Sequence, residues 1–149
     1  MRMGKMCNEE ILSFAKEFAE QLYEIGVFWL EEETIRTSHI TIYLDYLVRL
    51  EEARREGWEE EYKKHFSNPD GWYKSENKLE DMIPRVVEDK TIEAVIFCEG
   101  ELWETLYCCE VYGSNDERKR AVYKAFVQSV TEHGMWYEWE NGTVFLYGV

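Results

Sequence analysis

Two runs near the end of the chain constrain its fold more than any other feature. Met135-Trp136-Tyr137-Glu138-Trp139-Glu140 and Thr143-Val144-Phe145-Leu146-Tyr147 flank the pair Asn141-Gly142. Aromatic and β-branched residues suit the pleated, half-buried surface of a strand. Asn-Gly takes positive φ readily at both central positions of a type I′ turn, the turn whose twist matches a hairpin. A hairpin is therefore expected over 135–147. Alone it would be marginal in water, so it needs further strands or a helical cover. Trp136 and Trp139 stand an odd number of positions apart and face opposite sides of their strand, one into the core and one outward.

The cover is readable upstream. Asn8 is a good N-cap, and Glu9 and Glu10 suit the positive end of a helix. Ile11, Phe14, Ala15, Phe18, Leu22 and Ile25 recur at steps of three and four, an amphipathic helix that Gly26 stops. Val27 to Leu30 is an apolar connector. Thr34 caps a second expected helix with Ile40, Tyr43, Leu44, Leu47 and Leu50 as its buried stripe, and His39 as a packing histidine on it. Gly57 interrupts that helix, and Trp58, Tyr62 and Phe66 at steps of four resume it. Asn68-Pro69-Asp70-Gly71 marks a turn, and 72–78 reads as a loop. Leu79, Met82, Ile83, Val86 and Val87 have helical spacing, with Pro84 kinking or delimiting it. Residues 91–98 read as a mostly buried strand. Residues 101–112 fit either a helix, through Leu102, Leu106 and Cys109, or the second strand of a hairpin turning at Glu99-Gly100; the hairpin is the expectation. Ser114-Asn115 opens a last helix with Ala121, Val122, Ala125, Phe126, Ser129 and Val130 inward and Gly134 as its stop.

Helices first and strands later predict an α+β fold: N-terminal helices packed with a C-terminal antiparallel sheet built from a strand and one or two hairpins. With 149 residues and no linker-like tract, one domain over 1–149 is expected, with 1–7 a loose extension. No apolar run approaches the roughly 18–20 residues that span a bilayer. The four cysteines, Cys7, Cys98, Cys108 and Cys109, form no CxxC and read as reduced, mostly buried thiols of a cytoplasmic protein.

Charge is the unusual quantity. Seventeen bases against 31 acids give −14, which repels phosphates and anionic lipid, so neither direct nucleic-acid nor membrane binding is expected. The acids are concentrated: residues 8–33 hold eight against one lysine, and residues 99–114 hold four against no base. On the first helix Glu10, Ser13, Glu17, Glu20 and Glu24 form a row at helical spacing, whose adjacent members lie about 5–6 Å apart.

No chemistry-bearing motif stands out. The glycines form neither GxGxxG nor a P-loop. Cys98 with His133 is the one nucleophile–base pair that can be assembled, without a local signature around it. A zinc site from Cys98, Cys108, Cys109 and His133 lacks the usual spacing. Glu99, Glu101 and Glu104 could act as acid, base or metal ligands, but an acidic composition makes such clusters by chance. No catalytic residue, metal or cofactor is expected.

The expectation that follows from charge is a protein-binding inhibitor of a basic nucleic-acid-handling protein such as a nuclease, by nucleic-acid mimicry in the anti-CRISPR, antirestriction or nuclease-immunity style. Its contact residues would be Glu10, Glu17, Glu20, Glu24, Trp29, Glu31, Glu32, Glu33, Glu99, Glu101, Trp103 and Glu104, with the tryptophans as apolar anchors. Two alternatives stand beside it. One is an enzyme or small-ligand domain with a pocket lined by Trp72, Tyr73, Trp103, Tyr107, Trp136 and Tyr137. The other is an assembly subunit with a merely solubilising acidic surface, a homo-oligomer pairing through the edge of the C-terminal hairpin.

Overall fold

The computed structural model describes residues 8–27, 30, 33–64, 73–75, 92–97, 101–140 and 143–148. Its elements in chain order are α1 (Asn8–Ile25), β1 (Thr34–Arg36), β2 (Ile40–Tyr43), α2 (Leu44–Glu56), α3 (Glu59–Lys63), β3 (Tyr73–Ser75), β4 (Ile92–Phe97), α4 (Glu101–Tyr112), α5 (Glu117–Glu132), β5 (Met135–Glu140) and β6 (Thr143–Gly148). The chain is α+β, with helices layered on one antiparallel sheet of six strands in the order β3-β2-β1-β4-β6-β5. In the helical layer α1 packs between α2 and α5, and α4 lies against the far side of α5.

α1 follows its apolar period. Ile11, Phe14, Ala15, Phe18, Ala19 and Leu22 are buried, and Gly26 ends the helix with φ at 89°. Phe18 stacks on Phe14 and meets the edge of Phe126 on α5, with centroids 6.2 and 5.6 Å apart. From below, the sheet offers Ile35, Ile42, Ala94, Ile96, Val144 and Leu146 to the same core. Each fully buried side chain of this size removes enough apolar surface to stabilise by about 1.5–3 kcal/mol. The opposite face of the sheet carries a second buried cluster, Ile92, Val95, Phe145 and Tyr147.

The C-terminal hairpin is present as expected. Glu140 pairs with Thr143 and Met135 with Gly148, which leaves two residues, 141–142, between the strands. Trp136 and Trp139 do part to opposite faces. Trp139 packs on the main core, while Trp136 is 45% exposed and stacks on Tyr147 at 4.2 Å.

Three expectations are corrected. Residues 34–43 are not the start of a helix; they form the β1–β2 hairpin, with Ile35 opposite Ile42. Thr34, Ile35, Thr37, Ile40, Thr41 and Ile42 are β-branched, which restricts χ1 in a helix and favours a strand. Thr37 closes the turn: its N–H donates to the Ile40 carbonyl, and its Oγ1 accepts from the N–H groups of His39 and Ile40. His39 is consequently exposed at the turn rather than packed on a helix. Within 72–78, read as loop, Tyr73–Ser75 adds a short edge strand beside β2. Half of the sheet therefore comes from strands ahead of residue 76, not from the C-terminal part alone. Finally, 101–112 is a helix, α4, with Leu102, Thr105 and Leu106 buried at helical spacing. A strand there cannot pair back onto β4, because β4 is flanked by β1 on one side and β6 on the other. The expected helix at 79–87 and the turn at 68–71 lie outside the described residues. Among the described residues no helix is long and apolar enough to cross a membrane.

Candidate functional site

The two acidic segments read from the sequence meet different surroundings. On α1 the row of glutamates faces bases from its neighbours. Glu24 Oε1 accepts from Arg55 at 2.9 Å, and Glu20 lies 3.6 Å from Arg54. Both arginines belong to α2 and also hold Glu51, a buried carboxylate on the same helix. Burial raises the Glu51 carboxyl, but hydrogen bonds and charge from Arg54 and Arg55 outweigh it and leave it below the ordinary carboxylate value. Arg55 also lies over the Tyr23 ring, 5.1 Å from its centroid. On the α5 side Glu17 Oε2 sits 2.6 Å from His133 Nε2, and the imidazole meets Phe14 edge-on. Glu10, at the start of the row, is partly buried.

Glu33, expected in the continuing acidic patch, is buried at the entry to β1 and is not presented to a partner. Trp29, Glu31, Glu32 and Glu99 lie outside the described residues. The α1 row therefore exists as a row of side chains, but it alternates with arginines and a histidine instead of standing as unbroken negative charge.

α4 differs. It carries Glu101, Glu104 and Glu110 and no lysine or arginine. Glu110 is engaged: Tyr137 on β5 donates to it at 2.9 Å, and Tyr123 on α5 lies 3.3 Å from the same hydroxyl. Since the Tyr137 proton goes to Glu110, Tyr123 must be the donor in that second bond. Burial, followed by these two hydrogen bonds, raises the Tyr137 phenol far above its ordinary value. Glu101 and Glu104 are exposed one turn apart, and among the described residues neither meets a base. Between them Trp103 is half-buried, with its ring stacked on Tyr107 at 4.7 Å.

The aromatic side chains expected to line a pocket largely fill space against one another. Tyr137 meets Phe126 at 5.1 Å and Trp139 at 5.4 Å. Trp136 is on the other face of the sheet, Trp72 is outside the described residues, and the Tyr73 side chain is likewise outside them. An open groove of about 930 Å³ lies elsewhere, along the outer face of α5. The last turn of α4 and residues 113–115 form its other wall. Sequence reading missed this groove, although Arg118, Lys119, Arg120 and Lys124 marked α5 as the local exception to an acidic chain.

Cys98 is outside the described residues, and His133 is engaged with Glu17 at the C-terminal end of α5. Ser129, one turn earlier, is fully buried and accepts from Gln21. Cys108 and Cys109 are free thiols, partly rather than fully buried. Burial and the neighbouring Cys108 raise the Cys109 thiol, which disfavours the reactive thiolate. Among the described residues no three histidine, cysteine or acidic side chains converge as metal ligands.

No protein-family model matches this chain, and no curated protein or solved structure matches it either.

Proposed function

We propose that this protein is a binding module that occupies a basic surface of a nucleic-acid-handling protein, with its contact on the outer face of α4. The observation that carries the proposal is the pair Glu101 and Glu104: exposed, one turn apart, and on a helix without a base. A cationic groove built for phosphates attracts such carboxylates over roughly a Debye length, about 8 Å at physiological salt. Charge steers the encounter, and affinity needs apolar anchors. Val111 and Tyr112, at the end of the same helix, are 51% and 73% exposed and supply them. The α1 row has a lesser part in this reading, because Glu17, Glu20 and Glu24 already face His133, Arg54 and Arg55.

The test is capture of basic proteins by the immobilised chain at low salt. Retention at low salt with release by about 0.5 M salt is expected, since screening there shortens the Debye length severalfold. Glu101→Lys with Glu104→Lys should abolish capture, and Glu17→Lys with Glu20→Lys should weaken it less. Capture that survives the α4 reversal sinks the proposal. The same α1 pairs favour a second reading, in which the acids chiefly solubilise an assembly subunit. Failure to capture any basic protein, together with a salt-insensitive oligomer, would favour that reading.

A further inference from the structure

We propose that the groove between the last turn of α4 and the outer face of α5 docks an acidic, amphipathic peptide segment of a partner protein. This surface is separate from the α4 carboxylates and goes beyond the proposal built on them. Arg118, Lys119, Arg120 and Lys124 place four of the chain's 17 bases within seven positions. Arg120 and Lys124 stand one turn apart, exposed, and line the groove. Among the described residues neither is engaged by a carboxylate, whereas Arg54, Arg55 and Lys63 each are.

The groove's floor is apolar at Ala121 and Val127. Gly113, the first residue after α4, is on its wall. Gly113 turns the chain there with φ at 61°, and its N–H donates back to the Cys109 carbonyl. Glu117 also lines the groove, so its ridge carries two bases against one acid beside apolar surface, a net positive combination that suits a segment with acids on one stripe and apolar residues on the next.

A helical segment with carboxylates at i and i+4 repeats the spacing of Arg120 and Lys124. The guanidinium takes a carboxylate bidentately, and the lysine acts as a point charge. A nucleic acid fits less well. Its long array of phosphates extends beyond the four bases into the field of a chain carrying −14, whereas a short acidic segment feels mainly charges within a Debye length.

The experiment is fluorescence anisotropy of the full chain with three labelled probes: a glutamate–leucine amphipathic helix, the same helix with lysine for glutamate, and a single-stranded oligonucleotide of matched charge. The glutamate peptide should bind. Arg120→Glu with Lys124→Glu should weaken it by at least about tenfold, or about 1.4 kcal/mol. Arg49→Glu on α2 should leave it unchanged. Circular dichroism checks each fold, and if the double reversal does not fold, Arg120→Gln with Lys124→Gln is read instead. No binding of the glutamate peptide, or binding indifferent to these changes, overturns the proposal. Equal or tighter binding of the oligonucleotide overturns it in favour of nucleic acid. A wild-type dimer that the reversal makes monomeric overturns it in favour of a second copy.

Discussion

α1 and α4 are both acidic helices, yet they are different objects in the folded protein. α1 lies in the middle of the helical layer, with α2 on one flank and α5 on the other. Its apolar face enters the core, and its glutamates reach the arginines of α2 and the histidine ending α5. α4 lies against α5 alone among the helices it contacts most. Its acids at positions 101 and 104 are exposed, and among the described residues no base meets them. Central position converts negative charge into ties between helices, and peripheral position leaves it available to other molecules. The value of a carboxylate is therefore set by what packs beside it, not by how many acids surround it in sequence.

The strongest way to test this contrast is to remove the centre. Phe18→Ala empties a site between Phe14 and Phe126, and the loss should be about 3–5 kcal/mol in urea-induced unfolding. A loss under about 1 kcal/mol would mean that α1 is not the keystone. Glu51→Gln should cost about 1–2 kcal/mol, because it weakens the acceptor that orients Arg54 and Arg55 towards α1. The folded-state value of Glu51 lies below the ordinary one. Its contribution is therefore present above the ordinary carboxylate pKa, about 4.3, and is lost as pH falls through the folded value. Stability measured from pH 7 down to pH 3 should fall less steeply in Glu51→Gln than in the wild type. An identical slope would detach the α2 arginines from this account.

Smaller still is the change expected from Glu101→Lys with Glu104→Lys. Both sites are exposed, so stability should stay within about 0.5 kcal/mol of wild type, even as capture of a basic partner disappears. Marked destabilisation would show that α4 is held by those carboxylates and is not a spare surface. The least effect is expected for the Glu24–Arg55 contact taken alone. Its double-mutant coupling should lie near the limit of detection and vanish at high salt, as exposed pairs do. A coupling that persists in high salt would make α1 and α2 one electrostatic unit.

Legibility in the sequence followed the range of the interactions involved. The 3.6-residue period of α1 and α5 and the alternation around Asn141-Gly142 are local patterns, and these elements appear where they were read. Residues 34–43 misled because Ile40, Tyr43, Leu44 and Leu47 imitate a helical stripe while the β-branched run from Thr34 to Ile42 argues for strand. The strand prevailed because Ile35 and Ile42 pair across the turn and pack into the core together. Residues 101–112 satisfied both patterns, and only the occupation of both β4 edges resolves them. The candidate surface was half legible. Glu101, Glu104 and Trp103 were singled out, but the basic groove on α5 was not, since it needs the end of α4 as its second wall.

The sequence by itself determined the total charge, the two acidic segments, the first and last long helices and the C-terminal hairpin, because composition and short-range periodicity suffice for each. Only the tertiary structure decided which carboxylates meet bases. Glu24 finds Arg55 from 31 positions away, and Glu17 finds His133 from 116. A charge interacts with whatever folding brings within a few ångströms, and that distance bears no fixed relation to separation along the chain.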